Sequence, residues 1–276
     1  MHWFWDGLII GVNRVGLTVG VTMFLSYLMY RFSRMRRIYG VCRLGNIYFW
    51  IVAPGVACHE LGHALGCWLT GTRVHKIAFF EPDMLTMTAG YVQHETVKRR
   101  WFGSAIQFII STGPVWFGSI LILLLVKLTF GLGNIVALNG AETGGLDLWG
   151  SYITALIKGI ANLVPDHAKG WGFPMPEILA FYLIFCISSE MGMSSTDLKG
   201  VWRFLLQICI VIIAIHCLPG LNFIVDQIFR FLSPWILCLH LVLMVSVMMN
   251  IVLWGITDCM NRILVRVREQ WGKGRR

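Results

Sequence analysis

Six apolar stretches constrain this chain more than any other feature of its sequence. Most of them reach the ~20 residues that a helix needs to cross ~30 Å of hydrocarbon, although the fourth is too short to cross alone. Only 13% of the 276 residues are charged and 57% are hydrophobic, whereas soluble domains are roughly one-quarter charged. The sequence therefore predicts an integral membrane protein, with candidate spans at residues 7–30, 45–69, 102–126, 178–189, 200–218 and 232–256.

The predicted fold class is an all-α polytopic membrane protein with about six transmembrane helices, one of them broken, and a small membrane-associated β-hairpin. No internal repeat or low-complexity tract divides the chain, so residues 1–276 are interpreted as a single membrane domain. The first apolar stretch lacks the small-residue cleavage site of a secretory signal and is predicted to be a retained helix. Residues 257–276 are predicted to form a basic cytoplasmic tail.

Two segments interrupt the helical pattern. Residues 73–93 contain a β-branched and aromatic run, a turn at residues 81–83 and an alternating pattern at residues 85–88, which together predict a β-hairpin. Residues 127–176 are rich in glycine, and within them residues 151–164 have a helical spacing that predicts a helix at the membrane surface.

The net charge of +9 is concentrated at residues 31–43, 98–100 and 262–276. These runs border apolar spans, which favours contact with the anionic headgroups of a lipid bilayer over nucleic-acid binding.

Six of the eight cysteines fall inside spans and no CxxC pair occurs, so we interpret those six as small buried hydrophobic residues. The sequence leaves open whether this chain works alone or together with partner subunits.

A break lies inside the apolar region 178–218, where the sequence reads "SSEMGMSSTDLKG". Ser195 or Thr196 could cap a helix that starts near Asp197, and an acid in the first turn is favoured by the helix dipole. Irregular backbone at membrane depth is tolerated only where protein or a water-filled cavity covers it. We therefore expect a cavity beside Asp197.

The sequence "HELGH" places His59, Glu60 and His63 on a predicted membrane helix. Histidines four residues apart share one helix face and can hold a single zinc ion, while Glu60 lies to the side and can take a proton from zinc-bound water. Ionisable residues inside membrane helices are rare and are functional by default. The alternative is that the three residues only form hydrogen bonds between helices.

Two histidines leave zinc one protein ligand short, because catalytic sites usually have three. Asp197 and Glu190 are the acids close to the helix break. We favour Asp197, since it begins a helix that could project it inward. Glu190 is the competing ligand; it could instead pair with Arg203 or face lipid headgroups.

Over residues 45–218 these motifs resemble the site-2 protease family of intramembrane zinc metalloproteases, of which this chain looks like a divergent member. "HELGH" lies near the end of a membrane helix, and "RVHKIAFFEPDMLTMTAGYV" is similar to the short sheet that follows it in the family. "STGPVWFGSILILLL" resembles the family's Gly-Pro helix, here with Gly113 and Pro114. "MSSTDLKG" stands where the family has an aspartate ligand directly before glycine, whereas here Leu198 and Lys199 intervene.

The resemblance implies a metalloprotease core at residues 45–218, with His59, His63 and Asp197 holding one zinc ion and Glu60 as general base. It also implies that the substrate is a transmembrane segment of another protein, bound by adding it to a sheet edge near residues 85–92. The alternative is that this hairpin only plugs the cavity. Two other functions stay open. One is a catalytically silent membrane scaffold, and the other is a different membrane zinc hydrolase with Glu190 as third ligand.

Two arguments about orientation disagree. The positive-inside rule places residues 31–43 in the cytoplasm, which puts the N-terminus outside and gives five crossings with residues 178–218 as one kinked span. The resemblance implies the opposite placement of residues 31–43 and six crossings, with a break at Asp197. Both schemes place the basic tail inside. We prefer six crossings on the sequence alone.

Overall fold

The computed structural model describes residues 2–95, 102–130, 154, 175–218 and 220–273. The surface helix predicted at residues 151–164 lies outside the described residues, apart from residue 154. The elements in chain order are α1 (His2–Val15), a π-helical turn (Gly16–Gly20), α2 (Val21–Leu44), α3 (Asn46–Thr70), β1 (Val74–Ala78), β2 (Tyr91–His94), α4 (Gly103–Phe130), α5 (Met175–Glu190), α6 (Ser195–His216) and α7 (Asn222–Lys273).

Long apolar helices dominate the described part of the chain, which confirms the predicted helical membrane fold. Four helices are long and apolar enough to cross a membrane, and they cover Phe4–Leu44, Gly103–Thr129, Ser195–His216 and Val225–Met260. The first joins α1, the π-helical turn and α2 without interruption. At 16 residues, α5 is too short to cross alone, as predicted.

Contacts between helices fix the direction in which the outer helices run. Three contacts occur in the same order along the first helix and α7: Arg14 with Asp226, Thr22 with His240, and Arg36 with Asn250. The two helices are therefore parallel. At Gly45, which has a φ of 57° that suits glycine, the chain turns back into α3.

The inner helices alternate in direction with one exception. α4 runs antiparallel to α3, since Gly62 meets Pro114 and Gly66 meets Ile110. α5 runs parallel to α3, with Tyr182 bonded to Ile51 and the end of α5 beside His59. α6 runs antiparallel to α4. Gln207, in the later part of α6, bonds Ser104 near the start of α4. Gly200, in the early part of α6, packs on Gln107 and Ser111, which lie one to two turns further along α4. Thus α5 and α6 run the same way, as two halves of one broken segment. These directions favour the five-crossing scheme, which counts α3 as a crossing although α3 is not among the four helices named above.

Glycines allow α3 and α4 to pack closely. A Cβ atom at Gly62 would lie 2.6 Å from the nitrogen of Pro114, and one at Gly66 would lie 2.8 Å from the Cα of Ile110. The two glycines are four residues apart and face the same neighbour, as in the small-residue seams of membrane helix pairs. This close approach brings the backbone of α4 within reach of the histidines on α3.

The predicted hairpin is present, but its turn lies further along the chain than expected. β1 and β2 are antiparallel, with Ile77 opposite Val92 and Ala78 opposite Tyr91. Asp83 pairs with Thr88 in an isolated bridge, so residues 84–87 form the turn, although three of these four residues, 85–87, were expected in a strand. Hydrogen bonds from the Thr86 hydroxyl and the Leu85 amide hold the pKa of Asp83 below its usual value.

The helix break is present where the sequence predicted it. α5 ends at Glu190 and α6 begins at Ser195. The N-cap of α6 is Ser194, one residue before the nearer of the two predicted candidates. All eight cysteines are free thiols. Of the six that were expected to be buried, Cys58, Cys67, Cys186 and Cys238 are buried, whereas Cys209 and Cys217 are half-buried.

Candidate metal centre

The ring of His63 is oriented by a carbonyl group that a proline has released. In a regular helix the carbonyl of Ile110 would accept the amide hydrogen of residue 114, but that residue is Pro114 and has none. The carbonyl instead lies 2.9 Å from Nδ1 of His63. A carbonyl only accepts, so Nδ1 carries the hydrogen and Nε2 presents its lone pair away from α4.

The ring of His59 is oriented in the same way by the end of α5. Glu190 is the last residue of that helix, so its carbonyl has no partner within the helix. It lies 2.7 Å from Nδ1 of His59 and accepts the hydrogen of that nitrogen. Metal-binding histidines almost always donate their second ring hydrogen in this manner, which fixes the tautomer and the orientation of the ring.

The two free ring nitrogens point at each other. Nε2 of His59 and Nε2 of His63 are 3.1 Å apart. With both hydrogens on Nδ1, two lone pairs face each other at this distance, and that contact is repulsive unless a cation lies between them. The pair is therefore built to share a cation, which is either a proton or a metal ion.

Asp197 completes a cluster that could hold a metal ion. Its Oδ2 atom is 3.8 Å from Nε2 of His63, and one ligand atom from each of His59, His63 and Asp197 lies within 4.8 Å of the others. The structure thus brings together the three residues that the sequence predicted as ligands. The two histidines come from α3 and the aspartate from the first turn of α6.

A capping box at the start of α6 holds the carboxylate of Asp197 in place. The amide and the hydroxyl of Ser194 donate to Oδ2 of Asp197 over 2.9 and 2.6 Å. In return, the amide of Asp197 donates to the Ser194 hydroxyl over 3.2 Å. Both bonds from Ser194 end on Oδ2, the same oxygen that lies 3.8 Å from Nε2 of His63, so the capping box fixes the carboxylate oxygen that faces the histidines.

Glu60 lies beside the cluster and is covered by the hairpin. Its exposed fraction is 8%, and it lines the same cavity as His59, His63 and Asp197. A Cβ atom at Gly90 would lie 2.8 Å from Cγ of Glu60 and 2.8 Å from the carbonyl oxygen of Ala78. Position 90 therefore has room only for glycine, and the hairpin limits where the carboxylate of Glu60 can go.

Glu190 contributes its main chain to the centre, while its side chain is bound elsewhere. Its exposed fraction is 3%, its Oε1 atom is 3.0 Å from Nη2 of Arg36, and its Oε2 atom bonds Arg37. The sequence had suggested Arg203 or lipid headgroups as partners, and neither is correct. A carboxylate held by two guanidinium groups is poorly placed to bind a metal ion as well.

Sequence reasoning missed Arg36 and Arg37 because it assigned the whole basic run at residues 31–43 to lipid headgroups. Arg36 is buried, with an exposed fraction of 3%, and Arg37 lines the cavity. A signal was present, since Leu25, Met29, Arg36 and Gly40 share one face of α2 by their spacing. Extending the apolar face of the first helix past residue 30 would have placed Arg36 inside the protein.

The centre opens into a cavity of about 890 Å³. Its walls come from α2, α3, α4, the linker before α6 and the hairpin, and β2 lines it through Tyr91, Val92 and His94. The cavity that the sequence predicted beside Asp197 is therefore present. β2 pairs with β1 along one edge only, so its other edge is unpaired among the described residues.

Two further histidines on apolar helices lie outside this centre. His216 is buried and accepts a hydrogen bond from Arg14 over 2.9 Å. His240 is buried and bonds the hydroxyl of Thr22 over 2.6 Å. Both are hydrogen-bonded core histidines, as the sequence predicted.

Comparison with known proteins gives no match to a protein family, to a curated protein or to a solved structure. The resemblance to the site-2 protease family therefore depends on the motifs of this chain alone.

Proposed function

We propose that this chain is an intramembrane zinc endopeptidase, a multi-pass protein of the cell membrane that hydrolyses a peptide bond in or near a transmembrane segment of another protein. The observation that carries the proposal is the facing pair of ring nitrogens on His59 and His63, with Asp197 beside them and Glu60 in the same cavity. A proton shared between the two rings would be enough to explain why the nitrogens face each other. It would not explain an acid ligand and a general base gathered around them.

The donor set fits zinc. Two histidine nitrogens bound to one tetrahedral zinc ion at ~2.0–2.1 Å would lie about 3.3–3.4 Å apart, and the observed separation is 3.1 Å. Two imidazoles and one carboxylate make three protein ligands, which leaves a fourth position for water or substrate. When bound, zinc would lower the pKa of a coordinated water and polarise the scissile carbonyl group.

The residues around the centre take the remaining roles. Glu60 accepts the proton of the attacking water and returns it to the nitrogen of the leaving amine. β2 lines the cavity, and its edge away from β1, which is unpaired among the described residues, would bind an extended substrate segment through main-chain hydrogen bonds. A transmembrane helix must unwind locally before its peptide bond can reach this edge, and the cavity provides polar partners for the freed backbone groups.

The alternative zinc hydrolase with Glu190 as third ligand is disfavoured by the contacts of that side chain. Both of its carboxylate oxygens are bonded to arginine, and it lies outside the cluster of His59, His63 and Asp197. The silent scaffold remains the rival, because the same metal centre could simply join α3 to α6.

Glu60→Gln tests the proposal against the scaffold. The purified full-length chain would be incubated in detergent micelles with a library of transmembrane peptides, and new termini would be identified by mass spectrometry. We expect wild type to cleave and Glu60→Gln to lose roughly 10²–10⁴-fold in rate while binding one zinc ion per chain. Glu81→Gln, a change to an acid outside the cavity lining, serves as the control and should cleave normally. Cleavage by Glu60→Gln at the wild-type rate would remove Glu60 from the reaction, and zinc binding without any cleavage by wild type would favour the scaffold.

A further inference from the structure

Arg36 and Glu190, both buried, and the half-buried Arg37 form an ionic group that the reaction itself does not use. Glu190 has an exposed fraction of 3% and Arg36 has the same value. Removing such charges from water costs several kcal/mol per ion, which good geometry must offset. In a membrane protein, ionisable residues kept at this expense usually have a function.

The guanidinium group of Arg36 is held on every side. Its Nε atom donates to Oδ1 of Asn250 over 3.2 Å, and Nη1 donates to the hydroxyl of Tyr48 over 2.6 Å. Its Nη2 atom donates to the carbonyl of Ser189 over 2.8 Å and to Oε1 of Glu190 over 3.0 Å. These bonds join α2 to α3, α5 and α7, and they leave the guanidinium plane no freedom to rotate.

Two of these bonds flank the carbonyl group that orients His59. Arg36 binds the carbonyl of Ser189 and the side chain of Glu190, and the main-chain carbonyl of Glu190 accepts the hydrogen from Nδ1 of His59. The last turn of a helix otherwise frays easily, because its carbonyls have no partners within the helix. Anchoring it at two points fixes the direction in which the Glu190 carbonyl points.

α7 supports the same helix end from a second side. The amide nitrogen of the Asn250 side chain donates to the carbonyls of Ser188 over 3.2 Å and Ser246 over 2.9 Å. Asn250 is fully buried. The side-chain oxygen of Asn250 accepts from Arg36, which in turn binds the end of α5, and its side-chain nitrogen binds the carbonyl of Ser188 near the end of α5. Asn250 therefore supports the end of α5 both directly and through Arg36.

From this geometry we propose that Arg36 is a positioning residue for the metal centre: by clamping the end of α5, it aims the carbonyl of Glu190 at His59 and so fixes the ring that binds the metal ion. The inference rests on the metal centre of the proposed function but not on peptide hydrolysis. It predicts that a change at Arg36 alters metal binding, although Arg36 itself binds no metal.

Arg36→Lys is the variant that tests this inference, because lysine keeps the charge but cannot make the planar set of bonds. Zinc affinity would be measured on the detergent-purified full-length chain by competition with a chromophoric chelator, and the visible spectrum would be recorded with cobalt in place of zinc. We expect a 10–100-fold loss of zinc affinity, as for other partners of metal-binding histidines, and a changed cobalt spectrum.

Arg14→Lys is the matched control. Arg14 also lies on the first helix and is also held by a histidine and an acid, namely His216 at 2.9 Å and Asp226 at 2.5 Å. It makes no contact with the cluster of His59, His63 and Asp197. We expect Arg14→Lys to lower the melting temperature and to leave the zinc affinity and cobalt spectrum unchanged.

Tyr48→Phe provides a milder test if Arg36→Lys fails to fold, because it removes a single acceptor from Arg36. It should shift zinc affinity in the same direction by a smaller factor. The inference would be overturned if the variant that folds had the same zinc affinity and cobalt spectrum as the wild type. It would also be overturned if the wild type bound no metal. Reduced affinity in Arg36→Lys would uphold it even if wild type cleaved no peptide, so the proposed function can fail separately.

Discussion

Nδ1 of His63 donates to the carbonyl of Ile110 across 2.9 Å, and this bond links a candidate metal ligand on α3 to a backbone group on α4. The carbonyl is available because the residue four positions later is Pro114, which has no amide hydrogen. Proline in a helix interior usually costs ~3 kcal/mol. Here the released carbonyl has a defined partner, so Pro114 helps to orient the ring of His63 in the candidate metal centre.

Replacing Pro114 with alanine should weaken zinc binding. An alanine at this position supplies an amide hydrogen that competes with His63 for the carbonyl of Ile110. The ring of His63 then loses its fixed orientation and tautomer. We expect zinc affinity to fall by roughly tenfold or more, measured by competition with a chelator on the purified chain.

Pro234→Ala is the control for that prediction, because Pro234 lies inside α7 and makes no contact with His63 or Ile110. This change also restores a helical hydrogen bond, but it should leave zinc affinity unchanged. Equal zinc affinity in wild type, Pro114→Ala and Pro234→Ala would show that the bond from His63 to Ile110 has no part in metal binding.

Gly90→Ala should reduce cleavage and spare the metal. The added Cβ would lie 2.8 Å from Cγ of Glu60 and 2.8 Å from the carbonyl oxygen of Ala78. Either the hairpin or the carboxylate must move, and a displacement of about 1 Å in a reacting group can lower the rate roughly 10²-fold. The measurements are the cleavage rate of the peptide library and zinc content by mass spectrometry.

Gly255→Ala is the matched control for Gly90→Ala, since a Cβ at Gly255 would meet nothing within 4 Å. It should cleave at the wild-type rate. If Gly90→Ala also cleaved normally, the hairpin would not constrain Glu60 and the proposed role of β2 in binding substrate would lose its support.

The three residues that form the cluster of the candidate metal centre were predictable from the sequence for a simple reason. His59 and His63 share one helix face through their spacing, and that holds whatever the tertiary structure is. Asp197 was identified because it begins a helix after a break in an apolar region, and α6 does begin there. Helical periodicity and capping are local properties of the chain, so they can be recognised without knowledge of the fold.

The partners of those ligands were not predictable, because they are backbone groups or residues distant in the chain. The carbonyl of Glu190 is separated from His59 by 131 positions, and no residue type marks it as an acceptor. The chain separation between Arg36 and Glu190 is 154 positions. The turn of the hairpin was misplaced for another reason: the alternation at residues 85–88 is equally compatible with a strand and with a turn stabilised by Asp83 and Thr86.

Asp197→Asn and Glu190→Gln should affect zinc in different ways. Asp197→Asn removes a proposed zinc ligand. We therefore expect it to lower zinc affinity by more than the 10–100-fold that is lost when a hydrogen-bond partner of a ligand is removed. Glu190→Gln leaves the main-chain carbonyl in place, and it should still bind one zinc ion at saturating metal. It should instead lower stability by about 3–5 kcal/mol, because it leaves the buried Arg36 without its counter-ion.

Metal content after equilibration in buffered zinc, together with thermal unfolding, separates these two variants. His59→Ala is the reference for a lost ligand and should resemble Asp197→Asn. If Glu190→Gln were metal-free while Asp197→Asn kept one zinc ion, the third ligand would be Glu190, despite its two bonds to arginine.

The parallel directions of the first helix and α7 predict where two native thiols lie relative to the membrane. Cys42, near the end of α2, and Cys259, near the end of the apolar part of α7, are both exposed. Because Arg36 meets Asn250 and the helices run the same way, the two thiols lie at the same end of the protein. The arginines of residues 31–43 and the described basic residues after Cys259, in the last part of α7 up to Lys273, are then on one side, which the positive-inside rule assigns to the cytoplasm.

Labelling with a membrane-impermeant maleimide tests this topology, with Cys42→Ser and Cys259→Ser identifying the modified thiol. We expect both thiols to react in inverted vesicles and neither to react in right-side-out vesicles. Reaction of the two thiols from opposite sides would contradict the parallel arrangement and restore the six-crossing scheme. Reaction of both from outside would keep five crossings but reverse the orientation, and it would place the hairpin in the cytoplasm as the family resemblance implies.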